Sequence, residues 1–226
     1  MPVEAVIFDL DGTLTNFNLD FKTLRAEVRS YLMRTGVPAS VLNVSESIFE
    51  MLKKAEIFFK NNGKSGNGFG EVRNQSLAIA ERFEMEAAAT TSLMPGAYEA
   101  LQEFRRMKLE IALCTTSGEK ATNYILQQFK IAQFFGVVVT RNNVGNVKPQ
   151  TDEFEFALKE LNVSPEAALI VGDSVVDMQS AKELKAVAVG LPTGVSTMEQ
   201  LKRNGANYVV TSLIDLPALV KEINKA

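Results

Sequence analysis

The sequence predicts an α/β protein: a parallel sheet with helices on both faces, interrupted after its first strand by an all-helical insert. Three observations carry this reading. From residue 97 onward, short apolar runs alternate with stretches of helical periodicity. The apolar runs are nearly continuous rather than alternating, as strands buried on both faces require. Between about Asp20 and Met94 the periodicity is helical throughout, with no strand signal.

The elements follow in order. Residues 3–8 read as a short buried strand ending in Asp9-Leu10-Asp11-Gly12-Thr13. Leu24, Val28 and Leu32 recur at helical spacing, as do Ile48, Met51, Leu52 and Ile57-Phe58, and later Leu77, Ala80 and Phe83. Asn61–Gly70, rich in glycine and asparagine, reads as a loop between the last two helices. After Pro95-Gly96, a helix through Ala97, Leu101 and Phe104 leads to a strand at Leu109–Cys114, and one through Tyr124, Ile125 and Phe129 leads to Val137-Val138-Val139. A helix through Phe154, Leu158 and Leu161 precedes the strand Ala168–Val171, and one through Val176, Ala181 and Leu184 precedes Val187–Val189. Ser196 with Glu199 reads as a capping box opening a helix that stops near Gly205. Tyr208-Val209-Val210 is a further strand, and a last helix follows. Repeated βα units of this kind make a Rossmann-like sheet. The expected division is a core of residues 1–15 and 94–226 and a helical insert of residues 16–93. Parallel sheets place their sites at the strands' carboxyl ends, so an insert rooted just after Asp11 reads as a lid, or cap domain.

Composition narrows the chemistry. The chain has 226 residues, 46% of them hydrophobic, and a formal net charge of −3. That suits a globular protein with one sizeable core, and the mild acidity argues against nucleic-acid or membrane-surface partners. No apolar run approaches the ~18 residues of a membrane helix. No basic leader precedes the first strand, and Cys114 is the single cysteine, so a cytoplasmic location is expected. There is no histidine. A Ser-His-Asp triad, a histidine base and a histidine metal ligand are therefore excluded. Any metal must be held by oxygen, which favours Mg²⁺. Acid and base work falls to Asp, Glu, Lys or Tyr.

Asp9 and Asp11 are two apart on a strand, so both point to the same face. Adjacent carboxylates resist ionising together unless a cation or a shared proton relieves them. The pair suits a nucleophilic carboxylate beside a general acid/base, with a divalent metal between. The other strand ends add to it. Cys114-Thr115-Thr116-Ser117-Gly118 brings hydroxyls and backbone N–H groups to a helix start, an anion site. Val147-Lys148-Pro149 supplies a cation, and Gly172-Asp173-Ser174-Val175-Val176-Asp177 supplies two more carboxylates. Such a constellation suits Mg²⁺-assisted phosphoryl transfer, with Lys148 neutralising phosphate charge and Thr115 holding an oxygen.

The chain resembles the haloacid dehalogenase-like hydrolases, in particular their helical-cap phosphatases of the phosphoglycolate phosphatase-like kind. Four motifs lie in the family's order, at Asp9–Thr13, Thr115, Lys148 and Gly172–Asp177, and the insertion falls in the family's place. The resemblance implies that Asp9 attacks phosphorus and becomes an aspartyl phosphate. Asp11 would protonate the leaving alcohol and then deprotonate the hydrolytic water. Asp9, the Asp11 carbonyl and Asp173 would ligate Mg²⁺, with Asp177 a ligand or a partner to Lys148. Thr115, Thr116 and Gly12 would line the phosphate site. Two departures are visible. Gln150-Thr151 follows Lys148-Pro149 where relatives often have a second proline, and Glu183-Leu184-Lys185-Ala186 lacks a common Ala-Gly pair.

Competing readings are weaker. A thiol phosphatase would need Arg six positions after Cys114, where Lys120 stands. Gly63-Lys64-Ser65 lacks the glycine of a P-loop, position 58 being Phe. A dehalogenase is disfavoured by Asp11, since no alcohol leaves. Lys64 and Arg73 flank the insert's loop and are candidates to meet an anionic substrate. The expected activity is Mg²⁺-dependent hydrolysis of a small phosphorylated metabolite by a monomer or homodimer. The alternatives are a sugar phosphomutase, whose family members often carry a hinge histidine that this chain lacks, and a non-catalytic binding protein on the same fold.

Overall fold

The computed structural model describes residues 2–16, 18–63 and 67–225. The chain divides into two units, Met1–Phe17 with Thr91–Ala226, and Asn18–Thr90.

The first unit is built on a six-stranded sheet, and every strand pair in it is parallel. In chain order the strands are β1 (Ala5–Phe8), β2 (Glu110–Thr115), β3 (Val137–Thr140), β4 (Ala168–Gly172), β5 (Val187–Gly190) and β6 (Tyr208–Val209). Across the sheet they run β3-β2-β1-β4-β5-β6. β1 is therefore central, with Ile7 in register with Ala112 on one side and Ile170 on the other. Its residues Ala-Val-Ile-Phe are wholly buried, which explains why they are apolar at every position. The order reverses direction at β1, between β2 and β4. That is the switch point where a parallel sheet opens a crevice at its carboxyl edge.

Connecting helices cover the sheet: α4 (Ala97–Arg106), α5 (Glu119–Gln128), α6 (Asp152–Leu161), α7 (Val175–Leu184), α8 (Met198–Arg203) and α9 (Leu216–Ile223), numbered after three helices of the other unit. On one face Phe154, Ala157 and Leu158 of α6 and Met178 and Ala181 of α7 pack on Ile7, Ala112 and Ile170. On the other, Phe104 of α4 meets Phe8, ring centroids 6.0 Å apart.

The second unit consists of α1 (Phe21–Arg34), α2 (Ile48–Asn61) and α3 (Asn67–Thr90). Leu24, Val28, Leu32, Met51, Ala55, Phe59, Ala80 and Phe83 form its own core, the stripe that helical spacing predicts. Asp20 caps α1 by accepting from the Thr23 N–H, and Ser47 with Glu50 makes a full capping box on α2. Arg82 of α3 pairs with Glu27 of α1 at 2.7 Å.

Several sequence expectations shift, the first strand starting at Ala5 and the last ending at Val209 among them. The Asn61–Gly70 loop is shorter than expected: α2 runs through Asn61, and α3 already contains Asn67–Gly70. Phe69 packs on Phe59 at 5.8 Å between ring centroids, a tertiary contact that offsets the helix cost of Gly68 and Gly70. The expected capping box at Ser196 and Glu199 falls one residue later, at Thr197 and Gln200. The Ser196 hydroxyl instead accepts from the Val175 N–H at the start of α7. The second strand is Glu110–Thr115, one residue beyond Leu109–Cys114. Among the described residues no helix is long and apolar enough to cross a membrane.

Candidate active site

The carboxyl ends of β1, β2 and β4 and the loop after β3 converge on a small cavity of about 120 Å³. Asp9, Asp11, Thr115, Thr116, Lys148, Asp173 and Asp177 line it. The first motif follows β1 directly. The Asp9 N–H bonds the Val171 carbonyl at 2.9 Å, so Asp9 still continues the sheet. The next residues turn sharply: the Gly12 N–H bonds the Thr15 carbonyl at 2.8 Å, and Gly12 has φ +86°. A side chain at Gly12 would also meet Asp173, its Cβ 2.7 Å from that carboxyl. The turn therefore needs glycine for conformation and for space.

Lys148 sits at the centre of the charges. Its Nζ donates to Asp9 Oδ1 at 2.6 Å and to Asp177 Oδ1 at 2.8 Å, and its side chain is almost wholly buried. Burial alone would push this lysine down, but Asp177 and Asp9 outweigh it and hold the ammonium well above its ordinary value. It stays charged. Asp177 is the third residue of α7, and its Oδ2 accepts from the Ser174 N–H at 3.2 Å in a capping box. It is buried rather than a solvated first-turn acid. Asp173, at the end of β4, accepts from the Val195 N–H at 2.7 Å through Oδ2.

One carboxylate oxygen from each of Asp9, Asp173 and Asp177 lies within 4.8 Å of the others. Burial is the largest influence on Asp9 and pushes its carboxyl up. Lys148 pulls it down, Asp177 and Asp173 push it up again, and the outcome is well above its ordinary value. Burial and then Asp177 raise Asp173 to about 7, against the pull of the Val195 N–H. A single lysine does not satisfy this many buried acids. An all-oxygen cluster short of positive charge fits a hard divalent cation such as Mg²⁺.

Thr115 ends β2 with its hydroxyl accepting from the Ser117 N–H at 3.1 Å, and Thr116 follows at the lip of the cavity. Cys114 is buried; its thiol donates to the Glu153 carbonyl at 3.3 Å, and burial pushes it well above its ordinary value. It is a structural thiol. Arg73 lies exposed on α3 in the helical unit. Lys64 lies outside the described residues.

The structure adds groups that the sequence reading does not single out. The Ser117 hydroxyl donates to Asp11 Oδ2 at 2.6 Å. Glu153, at the second position of α6, is fully buried behind Lys148. Its Oε2 receives the Lys148 backbone N–H at 3.4 Å, and Oε1 has no hydrogen-bond partner among the described residues. Burial raises its carboxyl to about 7. The loop after β5 supplies the Val195 N–H to Asp173 and the Thr193 hydroxyl to the Gly12 carbonyl at 2.6 Å. Only Ser117 carried a signal, as the third hydroxyl of the Thr-Thr-Ser run.

Residues 3–185 match the family profile of the haloacid dehalogenase-like hydrolases. A phosphoglycolate phosphatase of Pseudomonas putida is 28% identical over 213 residues, covering 92% of this chain and 76% of the relative. An N-acetylmuramic acid 6-phosphate phosphatase of the same organism is 26% identical over 223 residues, covering 97% of each. The crystal structure of a hydrolase from Pseudomonas syringae superposes with a TM-score of 0.67 at 25% identity, over 97% of this chain and 99% of that one. The chain belongs to the haloacid dehalogenase-like hydrolases. It stands among that family's phosphatases, the phosphoglycolate phosphatase-like kind included, and is an enzyme of that class.

Proposed function

We propose that the enzyme hydrolyses a small-molecule phosphomonoester in a Mg²⁺-dependent reaction through an aspartyl phosphate on Asp9. The observation that carries this reading is the Asp9 carboxylate at the end of the central strand, in one cavity with Lys148, Thr115, Asp11 and Asp173. An Asp9 oxygen attacks phosphorus as the ester P–O bond breaks, and Asp11 gives its proton to the departing alcohol. Asp11 then takes a proton from a water, whose oxygen attacks phosphorus and releases phosphate and the Asp9 carboxylate. Lys148, the Thr115 hydroxyl and the Thr116 N–H hold phosphate oxygens, and Gly12 leaves the turn room beside them. The oxygens of Asp9, Asp173 and the Asp11 carbonyl would hold Mg²⁺. Asp177, already bonded to Lys148 and to the Ser174 N–H, serves chiefly to fix the lysine. Bound there, such a cation would supply further positive charge to the phosphate.

In this reading residues 1–15 and 94–226 are the catalytic core, and residues 16–93 are a cap that selects the substrate, with Lys64 and Arg73 as candidate anion contacts. The substrates named for the relatives, phosphoglycolate and a sugar acid 6-phosphate, point to a phosphorylated carboxylic acid or sugar, handled in the cytoplasm. Without a histidine in the chain, hydrolysis is favoured over transfer to a second sugar. The test is phosphate release from a panel of such esters with Mg²⁺ or EDTA. Wild type is expected to release phosphate only with Mg²⁺, and Asp9→Asn to fall at least about a thousandfold. Metal-independent release, or an active Asp9→Asn, would overturn the assignment.

A further inference from the structure

We propose that residues 193–196, the loop between β5 and α8, are the positioning element of the cation site, clamping the Asp173 carboxylate against the turn that carries the Asp11 carbonyl. This deepens the function proposed above and rests on its cation site.

The loop starts in register with the acid it meets. Gly190 pairs with Gly172 at the ends of β5 and β4, and the Leu191 N–H bonds the Gly172 carbonyl at 2.8 Å. The chain beyond Leu191 is thereby brought beside Asp173, the residue that follows β4. It then bonds to three separate parts of the site. The Thr193 hydroxyl donates to the Gly12 carbonyl at 2.6 Å, and the Val195 N–H donates to Asp173 Oδ2 at 2.7 Å. Ser196 Oγ accepts from the Val175 N–H, at the start of α7, at 3.2 Å.

Space holds the carboxylate as firmly as these bonds do. A Cβ at Gly12 would stand 2.7 Å from Asp173 Cγ and 3.1 Å from the Gly194 Cα. A Cβ at Gly194 would stand 2.6 Å from Asp173 Cγ and 3.0 Å from the Gly12 Cα. Two glycine backbones and the carboxylate thus meet where no side chain fits. Gly194 does not take a positive φ, so space rather than conformation asks for glycine there.

A small hard cation makes this placement matter. Mg²⁺ demands near-ideal octahedral geometry at about 2.0–2.1 Å and so tolerates little displacement of a ligand oxygen. The proposed oxygens come from two segments, Asp9 and Asp11 after β1 and Asp173 after β4. The Thr193 and Val195 bonds tie one segment to the other. Groups that orient a ligand without touching the metal are typically worth about 10–100-fold in affinity.

The experiment titrates Mg²⁺ into the metal-free protein by calorimetry, for wild type, Gly194→Ala, Thr193→Val, Thr193→Ser and Asp173→Asn, with melting temperatures measured in EDTA. Gly194 is exposed, and its methyl would meet the end of a side chain, so the variant should turn the Asp173 carboxylate aside rather than unfold. Gly194→Ala is expected to bind Mg²⁺ about tenfold more weakly or worse, with a metal-free melting temperature within a few degrees of wild type. The Mg²⁺ concentration for half-maximal rate should rise by the same factor, while KM for the ester at saturating Mg²⁺ stays unchanged. Thr193→Val should also weaken Mg²⁺ binding, and Thr193→Ser, which keeps the hydroxyl, should restore it. Wild-type affinity in Gly194→Ala would overturn the clamp. Should that variant fail to fold, equal affinities in Thr193→Val and Thr193→Ser would overturn it instead. A wild type that binds no Mg²⁺, or an Asp173→Asn variant that binds it as tightly as wild type, would overturn the cation site and the clamp together.

Discussion

Asp9 and Asp173 are legible in the sequence because each directly follows an apolar strand, and strand ends are where a parallel sheet gathers its polar groups. Glu153 was not legible. It lies in the first turn of an amphipathic helix, where an acidic residue is ordinarily solvated and favoured by the helix dipole. Packing turns it inward instead, onto the backbone of Lys148. That gives a stability prediction. The ordinary value of this carboxyl is 4.5 and its folded value is about 7. Between those values the folded chain keeps a proton that the unfolded chain has released, so stability falls as pH rises through the window. Glu153→Gln removes the proton linkage. The variant should match wild type near pH 5 and exceed it by about 1–3 kcal/mol near pH 8. Urea unfolding of the metal-free protein at the two pH values checks this, and a wild type more stable at pH 8 would contradict it.

At the scale of elements, most of the pattern was readable. The six strands and the helices between them follow from apolar runs and helical periodicity, because burial on two faces and on one stripe leave different repeats. Boundaries were less so, and each error has a physical cause. The Asn61–Gly70 stretch holds local loop signals, yet Phe69 finds Phe59 and draws Asn67–Gly70 into α3. Ser196 and Thr197 are adjacent hydroxyls, and only packing decides that Thr197 caps α8 while Ser196 serves α7. The start of α7 is the most informative element for function. Ser174 caps it by accepting from the Val176 N–H, and Asp177 completes the box while holding Lys148. Ser174→Ala should cost about 1 kcal/mol of stability. It should also lower activity by freeing the first turn on which Asp177 rides. A denaturation midpoint unchanged from wild type would show that the cap contributes nothing.

For the whole molecule, the proposed cation site at the acidic cluster predicts that stability depends on divalent cations. A metal that binds the folded chain alone stabilises it by mass action, about 2.7 kcal/mol at a hundredfold excess over its dissociation constant. Mg²⁺ should therefore raise the melting temperature by several degrees over EDTA, and Asp173→Asn should remove most of that gain. An identical shift in the variant would place the bound cation elsewhere. The α/β class, the helical insert after the first strand and the acids that follow β1 and β4 are written in the sequence, and the absence of histidine leaves oxygen ligands for any metal. Those properties depend on residue identity and on short-range periodicity. The tertiary structure alone decided which oxygen meets which donor. Lys148 joins Asp9 across 139 positions of sequence and Asp177 across 29, and Ser117 reaches Asp11 across 106. Such contacts arise only when the sheet order sets β1 between β2 and β4, and no local pattern encodes a neighbour brought in by the crossing of other strands.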